Sequence, residues 1–174
     1  MKVLKPLKPY KFRRWRLGLY PDCYHFFTCA RPGRTGNPVS KNAHVTDNVV
    51  HRWVLGLPGP KTAIVSLLGR KPDGLSEFSF YSFTGGFDRQ SAEARRLSFR
   101  EWLNEHYKER VILCEHPTDD YQSIDHEKLA AIGADIRKLI SEGHTVVVVD
   151  SGGQQRTEQV RRHLDATEDS ARKP

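Results

Sequence analysis

The chain has 174 residues, a net charge of +7 and 37% hydrophobic residues, which is enough apolar material for the core of one domain. It contains no run of about 18 apolar residues, which excludes a membrane-spanning helix, and its basic N-terminus lacks the apolar segment of a secretory signal. Three cysteines cannot all pair with one another, so we expect no disulfide framework and a cytoplasmic protein.

The N-terminal segment, residues 1–44, is predicted to be a basic and partly irregular arm. Residues 1–42 contain ten lysines and arginines against one acidic residue, a local balance of +9. Aromatic residues are interleaved with the basic ones, and such a mixture in residues 2–16 can bind nucleic acid or an anionic membrane surface. The alternative is a solvated arm whose aromatic side chains pack onto the domain.

Prolines and glycines between residues 20 and 48 predict irregular structure there. Within this segment, Cys29 is followed by Arg34 and Gly36, but Gly36 and Pro38 would prevent a helix from starting at Arg34. We therefore reject this cysteine as part of a catalytic loop. Cys23, His25 and Cys29 lack a fourth ligand at suitable spacing, so we predict neither a metal site nor a cofactor.

Residues 45–164 are predicted to form an α/β domain, followed by a polar tail at 165–174. Hydrophobic periodicity predicts strands at Thr62–Leu68, Glu77–Phe83, Val111–Cys114 and Thr145–Val149. Helices are predicted at Ser91–His106 and from a cap at Ser123 or Asp125 to about Glu142. Because strands alternate with helices, the fold class is α/β: a three-layer domain with a central, mostly parallel sheet flanked by helices.

The strand at Thr145–Val149 leads into a segment with the properties of an anion site. Gly152 and Gly153 permit a tight loop with inward-pointing amides, and a helix is expected to begin at Arg156. A strand, a glycine-containing turn and a helix N-terminus favour negative charge. The alternative is an ordinary strand-to-helix turn of an α/β domain.

From Asp150 to Thr157 the spacing is one residue, five intervening residues, an arginine and a threonine. This resembles the phosphate-binding loop of the cysteine-based protein tyrosine and dual-specificity phosphatases, whose signature is His-Cys, five residues, Arg-Thr or Arg-Ser. Gly153 and Arg156 fall on the mid-loop glycine and the phosphate-clamping arginine of that signature. Asp150 stands at the position of the nucleophilic cysteine, and Val149 at that of the histidine.

The resemblance implies roles for individual residues. The general-acid aspartate of that family lies on a loop about thirty residues before the nucleophile, and Asp119 and Asp120 lie 31 and 30 residues before Asp150. Asp150, Arg156, Asp120 and Asp119 would therefore be the catalytic positions. The phosphate-binding positions would be Ser151, Gly152, Gly153, Gln154, Gln155 and Arg156.

A carboxylate is a poorer nucleophile than a thiolate, and at the floor of the loop it would itself accept the amide hydrogen bonds and repel phosphate. We therefore expect a phosphatase-fold protein without cysteine-type catalysis, a pseudophosphatase that acts in binding phosphate or a phosphorylated ligand, or in regulation. One alternative is a phosphomonoesterase or phosphotransferase that uses Asp150 as nucleophile; if the protein is active, it is a phosphatase-type hydrolase. Another is a protein that binds nucleic acid or an anionic surface through its basic arm.

Overall fold

The computed structural model describes residues 4–17, 26–36, 47–69, 99–119 and 122–172. Five strands form one sheet, namely β1 (Arg13–Trp15), β2 (Phe26–Ala30), β3 (Thr62–Ser66), β4 (Val111–Glu115) and β5 (Thr145–Asp150). The helices within the described residues are α1 (Asp47–Leu55), α2 (Phe99–His106), α3 (His126–Ser141) and α4 (Gln155–Arg172). No helix in these ranges is long and apolar enough to cross a bilayer.

The strands are arranged in the order β1-β2-β5-β3-β4. Strand β5 is central, with β2 and β3 parallel to it on either side, and β4 is parallel to β3. Only the short β1, which pairs with β2, is antiparallel among the described strands. Because the parallel strands end at one edge, their following loops meet there, which is where ligands bind in open α/β sheets.

Strand β5 owes its central position to its composition. All six of its residues are buried, and valines occupy four of the six positions. Val146 and Val148 contribute to the apolar cluster on one face of the sheet, and Val147 and Val149 to the cluster on the other face. Burial of a valine side chain stabilises the fold by roughly 1.5–3 kcal/mol, so this strand joins the two halves of the core.

Helices cover both faces of the sheet. Trp53 of α1 and Trp102 of α2 lie in the cluster on one face, and Ile136 of α3 and Leu164 of α4 lie in the cluster on the other. The predicted three-layer α/β domain with a central, mostly parallel sheet is confirmed. Helices α1 and α2 thus cover the first face, and α3 and α4 cover the second.

The boundaries of α3 agree with the predicted signals. Asp125 is the N-cap, and its carboxylate accepts the backbone N–H of Lys128 at 2.8 Å. Gly143, just beyond the helix, has a φ angle of +86°, a left-handed conformation that glycine adopts without a Cβ penalty. These caps fix where α3 ends and therefore where β5 starts.

Strand β2 corrects the prediction of irregular structure throughout residues 20–48. All five residues of Phe26–Ala30 are buried and pair in parallel with β5. The run Phe-Phe-Thr-Cys-Ala is a short apolar strand, and the prolines and glycines that break the pattern follow it. The predicted strand Glu77–Phe83 and the first part of the predicted helix Ser91–His106 lie outside the described residues.

Candidate functional site

The Asp150–Arg156 loop lies at the carboxyl edge of the sheet, between the ends of β2 and β3. Asp150 is the last residue of β5 and is in register with Ala30 at the end of β2. Its carbonyl accepts the backbone N–H of Arg31 at 2.9 Å, and the carbonyl of Val149 accepts that of Leu67 at 2.8 Å. Residues 151–154 then turn the chain into α4, so both neighbouring strands hold the start of the loop.

The Asp150 side chain occupies the floor of the loop. It is 2% exposed, and its carboxylate accepts backbone N–H bonds from Gly153, from Arg156 at 2.9 Å and from Thr157 at 3.0 Å. The last two donors belong to the first turn of α4, whose N–H groups have no intrahelical acceptor. The amide bonds expected of this carboxylate are present, and the helix N-terminus favours its negative charge.

Gly153 makes this arrangement possible. Its φ angle is +73°, and a Cβ atom at this position would lie 2.6 Å from the backbone nitrogen of Ala30 and 3.0 Å from the Cβ of Lys11. Any side chain would therefore force the loop away from β2 and from the N-terminal segment. The predicted mid-loop glycine is required by backbone conformation and by space together.

Other N–H groups of the loop have no acceptor among the described residues. They are the backbone N–H groups of Ser151, Gly152, Gln154 and Gln155. The last of these opens α4. Asp150 thus accepts some of the N–H groups of the loop, and others are left without an acceptor in the described part of the chain.

The Arg156 side chain is buried, at 1% exposed. Its Nη1 donates to the carbonyl oxygens of Leu67 at 3.0 Å and Thr118 at 3.2 Å. These carbonyls follow β3 and β4, so the guanidinium joins the ends of both strands to the N-terminus of α4. Its assignment as a phosphate clamp stays a prediction.

Arg34 follows β2, in the segment whose cysteine, Cys29, was not expected to belong to a catalytic loop. Its Nη2 lies 4.0 Å from the position that a Cβ atom on Gly152 would occupy. Its Nε is buried and has no hydrogen-bond partner among the described residues. A partly buried guanidinium is thus brought against the loop by the turn after β2, a proximity that local sequence patterns do not reveal.

The predicted acid loop follows β4. Thr118 holds this loop against the end of β3, because its hydroxyl donates to the carbonyl of Leu67 at 2.6 Å. Asp119 is exposed and lines a cleft of about 190 Å³ together with Lys128. Asp120, the other predicted acid, lies outside the described residues, and the acid role of either residue stays a prediction.

Cys29 lies in β2, one register position from Asp150, but its surroundings do not suit a nucleophile. The side chain is 0% exposed. Burial, and secondarily the negative charge of Asp150, raise the pKa of the Cys29 thiol well above its usual value. Since the thiolate is the reactive form, Cys29 does not replace a cysteine in the loop.

The N-terminal segment lies against the domain. Phe12 stacks on Phe27 with ring centroids 5.0 Å apart, and the indole N–H of Trp15 donates to the hydroxyl of Thr28 at 2.9 Å. The guanidinium of Arg161 lies 4.4 Å from the centroid of the Trp15 ring. These aromatic side chains contribute to packing, as the alternative reading of the basic arm predicted.

No protein-family model and no curated protein matches this chain. Among solved structures it is similar to a kinase-associated phosphatase whose catalytic-site cysteine is substituted by serine, with a TM-score of 0.52 and 14% identity over 95% of this chain and 83% of that one. A similarity to Tk-PTP in its active form has 19% identity over 66% of this chain and 68% of that one, but its TM-score of 0.30 is too low to assign a fold. The first similarity confirms the predicted dual-specificity-phosphatase-like fold.

Proposed function

We propose that this phosphatase-fold chain is a pseudophosphatase that binds the phosphate group of a phosphorylated ligand at the Asp150–Arg156 loop and does not hydrolyse it by cysteine-type chemistry. The observation that carries the proposal is the Asp150 carboxylate, which accepts three backbone N–H bonds at the floor of the loop.

Several properties of Asp150 disfavour covalent catalysis. An attacking carboxylate oxygen needs access to phosphorus, and each hydrogen bond that it accepts lowers its nucleophilicity. Both oxygens of Asp150 accept N–H bonds, and the residue is 2% exposed. Such charge-assisted bonds stabilise the carboxylate and make it a weaker nucleophile, and its burial limits access to phosphorus. This argues against the alternative in which Asp150 is the nucleophile.

Binding is supported by donors at the rim of the loop. The backbone N–H groups of Ser151, Gly152, Gln154 and Gln155 have no acceptor in the described part of the chain, and they flank the N-terminus of an 18-residue helix. Arg34 adds a guanidinium beside Gly152. Backbone amides, a helix N-terminus and an arginine are the usual components of phosphate sites.

The charge of Asp150 weakens such a site and thereby indicates the kind of ligand. Two unit charges about 4 Å apart repel by about 1 kcal/mol in water and about 4 kcal/mol at an effective dielectric constant of 20. Free phosphate should therefore bind weakly. A larger phosphorylated ligand could gain further contacts in the adjacent cleft of about 530 Å³, which is lined by Arg13, Gln154, Gln155 and Arg162 among others.

The test is a titration of the full chain with inorganic phosphate and with phenyl phosphate, followed through the amide NMR signals of Gly152 and Gly153. We expect both signals to shift, and Arg34→Met to weaken binding at least tenfold. Arg100→Met is the matched control, since it removes the same charge from α2, where Arg100 pairs with Glu115 at 3.2 Å. Shifts that avoid the loop, or equal losses in both variants, would contradict the proposal.

A further inference from the structure

A second group of side chains, away from the floor of the loop, converges on one point. Cys114 in β4 and His116 just after it lie two positions apart, and Asp135 lies in the middle of α3. The Nε2 atom of His116 is 2.7 Å from Oδ2 of Asp135 and 3.8 Å from Sγ of Cys114. Sγ of Cys114 is 3.6 Å from the same Oδ2.

This arrangement is not that of a nucleophilic cysteine. In a Cys-His-Asp relay, the thiol and the carboxylate contact opposite nitrogens of the imidazole, so that a proton can pass through the ring. Here both lie on Nε2 of His116. The three potential ligand atoms, one from each residue, lie within 4.8 Å of one another, which is close enough to share one metal ion.

The edges of the triangle can be compared with those of a zinc site. With Zn–S about 2.3 Å, Zn–N about 2.05 Å and Zn–O about 2.1 Å in tetrahedral geometry, ligand atoms lie roughly 3.6 Å apart for S and N, 3.6 Å for S and O and 3.4 Å for N and O. The observed sulfur distances of 3.8 and 3.6 Å fit. The nitrogen–oxygen edge of 2.7 Å would have to open by about 0.7 Å.

Opening that edge is feasible because the two side chains belong to different elements. The side chain of Asp135 is 45% exposed and that of His116 is 16% exposed, so the carboxylate can rotate and an ion can enter from solvent. His116 itself is held by its backbone N–H, which donates to the carbonyl of Ser66 at 2.9 Å. One ligand side chain is thus positioned and another is adjustable.

We propose that Cys114, His116 and Asp135 form a zinc site with water as the fourth ligand. Thiolate, imidazole and carboxylate together suit Zn²⁺, whereas Mg²⁺ and Ca²⁺ prefer oxygen ligands alone. The ion would join the end of β4 to α3 and fix the start of the loop that continues through Thr118 and Asp119. This inference concerns a separate set of side chains and does not rest on the proposed phosphate binding.

The test uses the full chain, stripped of metal with a chelator and kept reduced. Zn²⁺ is added in a calorimetric titration, and Co²⁺ in an absorption titration. We expect one Zn²⁺ per chain, and a thiolate-to-cobalt charge-transfer band in the Co²⁺ complex. Cys114→Ser should abolish the band, and Asp135→Asn should keep it but weaken binding at least tenfold.

The matched controls are His126→Gln and Glu127→Gln, which change exposed residues of the same helix and should bind as the unchanged chain does. Circular dichroism shows whether Cys114→Ser is folded. If it is not, the test rests on the affinity of Asp135→Asn for Zn²⁺ and on the charge-transfer band of the unchanged chain. Absence of Zn²⁺ binding, a charge-transfer band that survives in a folded Cys114→Ser, or undiminished affinity in Asp135→Asn would overturn the site.

Discussion

Asp150 accepts the backbone N–H of Arg156 at 2.9 Å, while the guanidinium of the same Arg156 donates to the carbonyl of Leu67 at 3.0 Å. The start of α4 is thus held in two ways. The Asp150 carboxylate accepts its backbone N–H groups, and the Arg156 side chain donates to a carbonyl that follows β3. Both are almost fully buried. The residues that the family resemblance assigns to chemistry therefore also hold the loop together.

Substitution of Asp150 by asparagine should destabilise the fold. An asparagine oxygen can accept the N–H groups of Arg156 and Thr157, but its amide NH₂ would then face the N–H of Gly153, which now donates to the other carboxylate oxygen. A buried donor left without an acceptor costs about 1–3 kcal/mol. Chemical denaturation should show a decrease of that size in the free energy of unfolding.

The control for this experiment is Asp165→Asn, which removes a carboxylate on α4 that pairs with Arg161 at 2.6 Å and is 41% exposed. A pair so exposed contributes little, roughly 0–1 kcal/mol. Equal losses in the two variants would mean that the hydrogen bonds at the loop floor do not stabilise the protein as the geometry indicates.

The same Asp150→Asn variant should bind inorganic phosphate more tightly. It removes the buried negative charge nearest to the proposed phosphate site, and a repulsion of about 1–4 kcal/mol corresponds to a gain of roughly fivefold to almost a thousandfold in affinity. Calorimetry with the folded variant measures this gain, and Asp165→Asn again serves as the control. Unchanged or weaker binding would place the phosphate elsewhere.

The unchanged chain should turn over aryl phosphates very slowly, or not at all, when metal ions are removed. The loop contains no cysteine, and both oxygens of its carboxylate accept hydrogen bonds from the backbone. The measurement is hydrolysis of p-nitrophenyl phosphate in the presence of a chelator. Clear activity that disappears in Asp150→Asn would instead favour the alternative in which Asp150 is the nucleophile.

Sequence patterns were sufficient for the regular core but not for the contacts between distant segments. The five β-branched residues before Asp150 predict the central strand, and Asp125 and Gly143 mark the ends of α3. Strand β2 was missed because its stability comes from pairing Phe26–Ala30 with a strand more than a hundred residues later. Local periodicity does not contain that information.

The site was predictable to a similar extent. The spacing from Asp150 to Arg156 indicated the loop, but the approach of Arg34 to Gly152 depends on how β2 lies beside β5. Cys114 and His116, at positions i and i+2 at the end of a strand, offered a signal that was overlooked, because such residues face the same side. Their partner Asp135 could be identified only after α3 was packed on the sheet.

Stability should fall as the pH drops below about 6.5 because of His163. Burial, and then the neighbouring His126 and Arg137, lower the pKa of His163 from its usual value. Between the folded pKa and the unfolded value of about 6.5, the unfolded chain binds the proton more readily, so protonation favours unfolding. Above that range the contribution is constant, and below the folded pKa the loss is complete.

The measurement compares the free energy of unfolding of the unchanged chain and of His163→Gln from pH 7.5 to 5. The unchanged chain should lose stability relative to the variant as the pH falls. His126→Gln removes one cause of the shift, since its ring lies 5.7 Å from that of His163, and should reduce the effect. An NMR titration in which the His163 ring titrates above 6.5 would refute the assignment.

A cysteine introduced at position 150 tests whether the loop forms an anion site that can activate a thiolate. Asp150→Cys would place a sulfur where the N–H groups of Gly153, Arg156 and Thr157 converge, and these donors should favour the thiolate. Val149→His, which would complete the family signature, is costly, because Val149 is 0% exposed within the core and a buried imidazole needs hydrogen-bond partners. The single variant is therefore the sharper experiment, with the double variant as its companion.

We expect Asp150→Cys, assayed under reducing conditions, to bind phosphate and vanadate more tightly than the unchanged chain and to show a low rate of aryl phosphate hydrolysis. If Asp119 or Asp120 protonates the leaving oxygen, the corresponding substitution by asparagine in this background should lower that rate by about 10²–10⁴-fold. Asp125→Asn is the control, because asparagine caps a helix about as well as aspartate, so the cap on α3 is kept and the rate should stay the same. Binding that stays unchanged, with no turnover at any pH, would mean that the Asp150–Arg156 loop retains the spacing of a phosphatase loop without its preformed anion site.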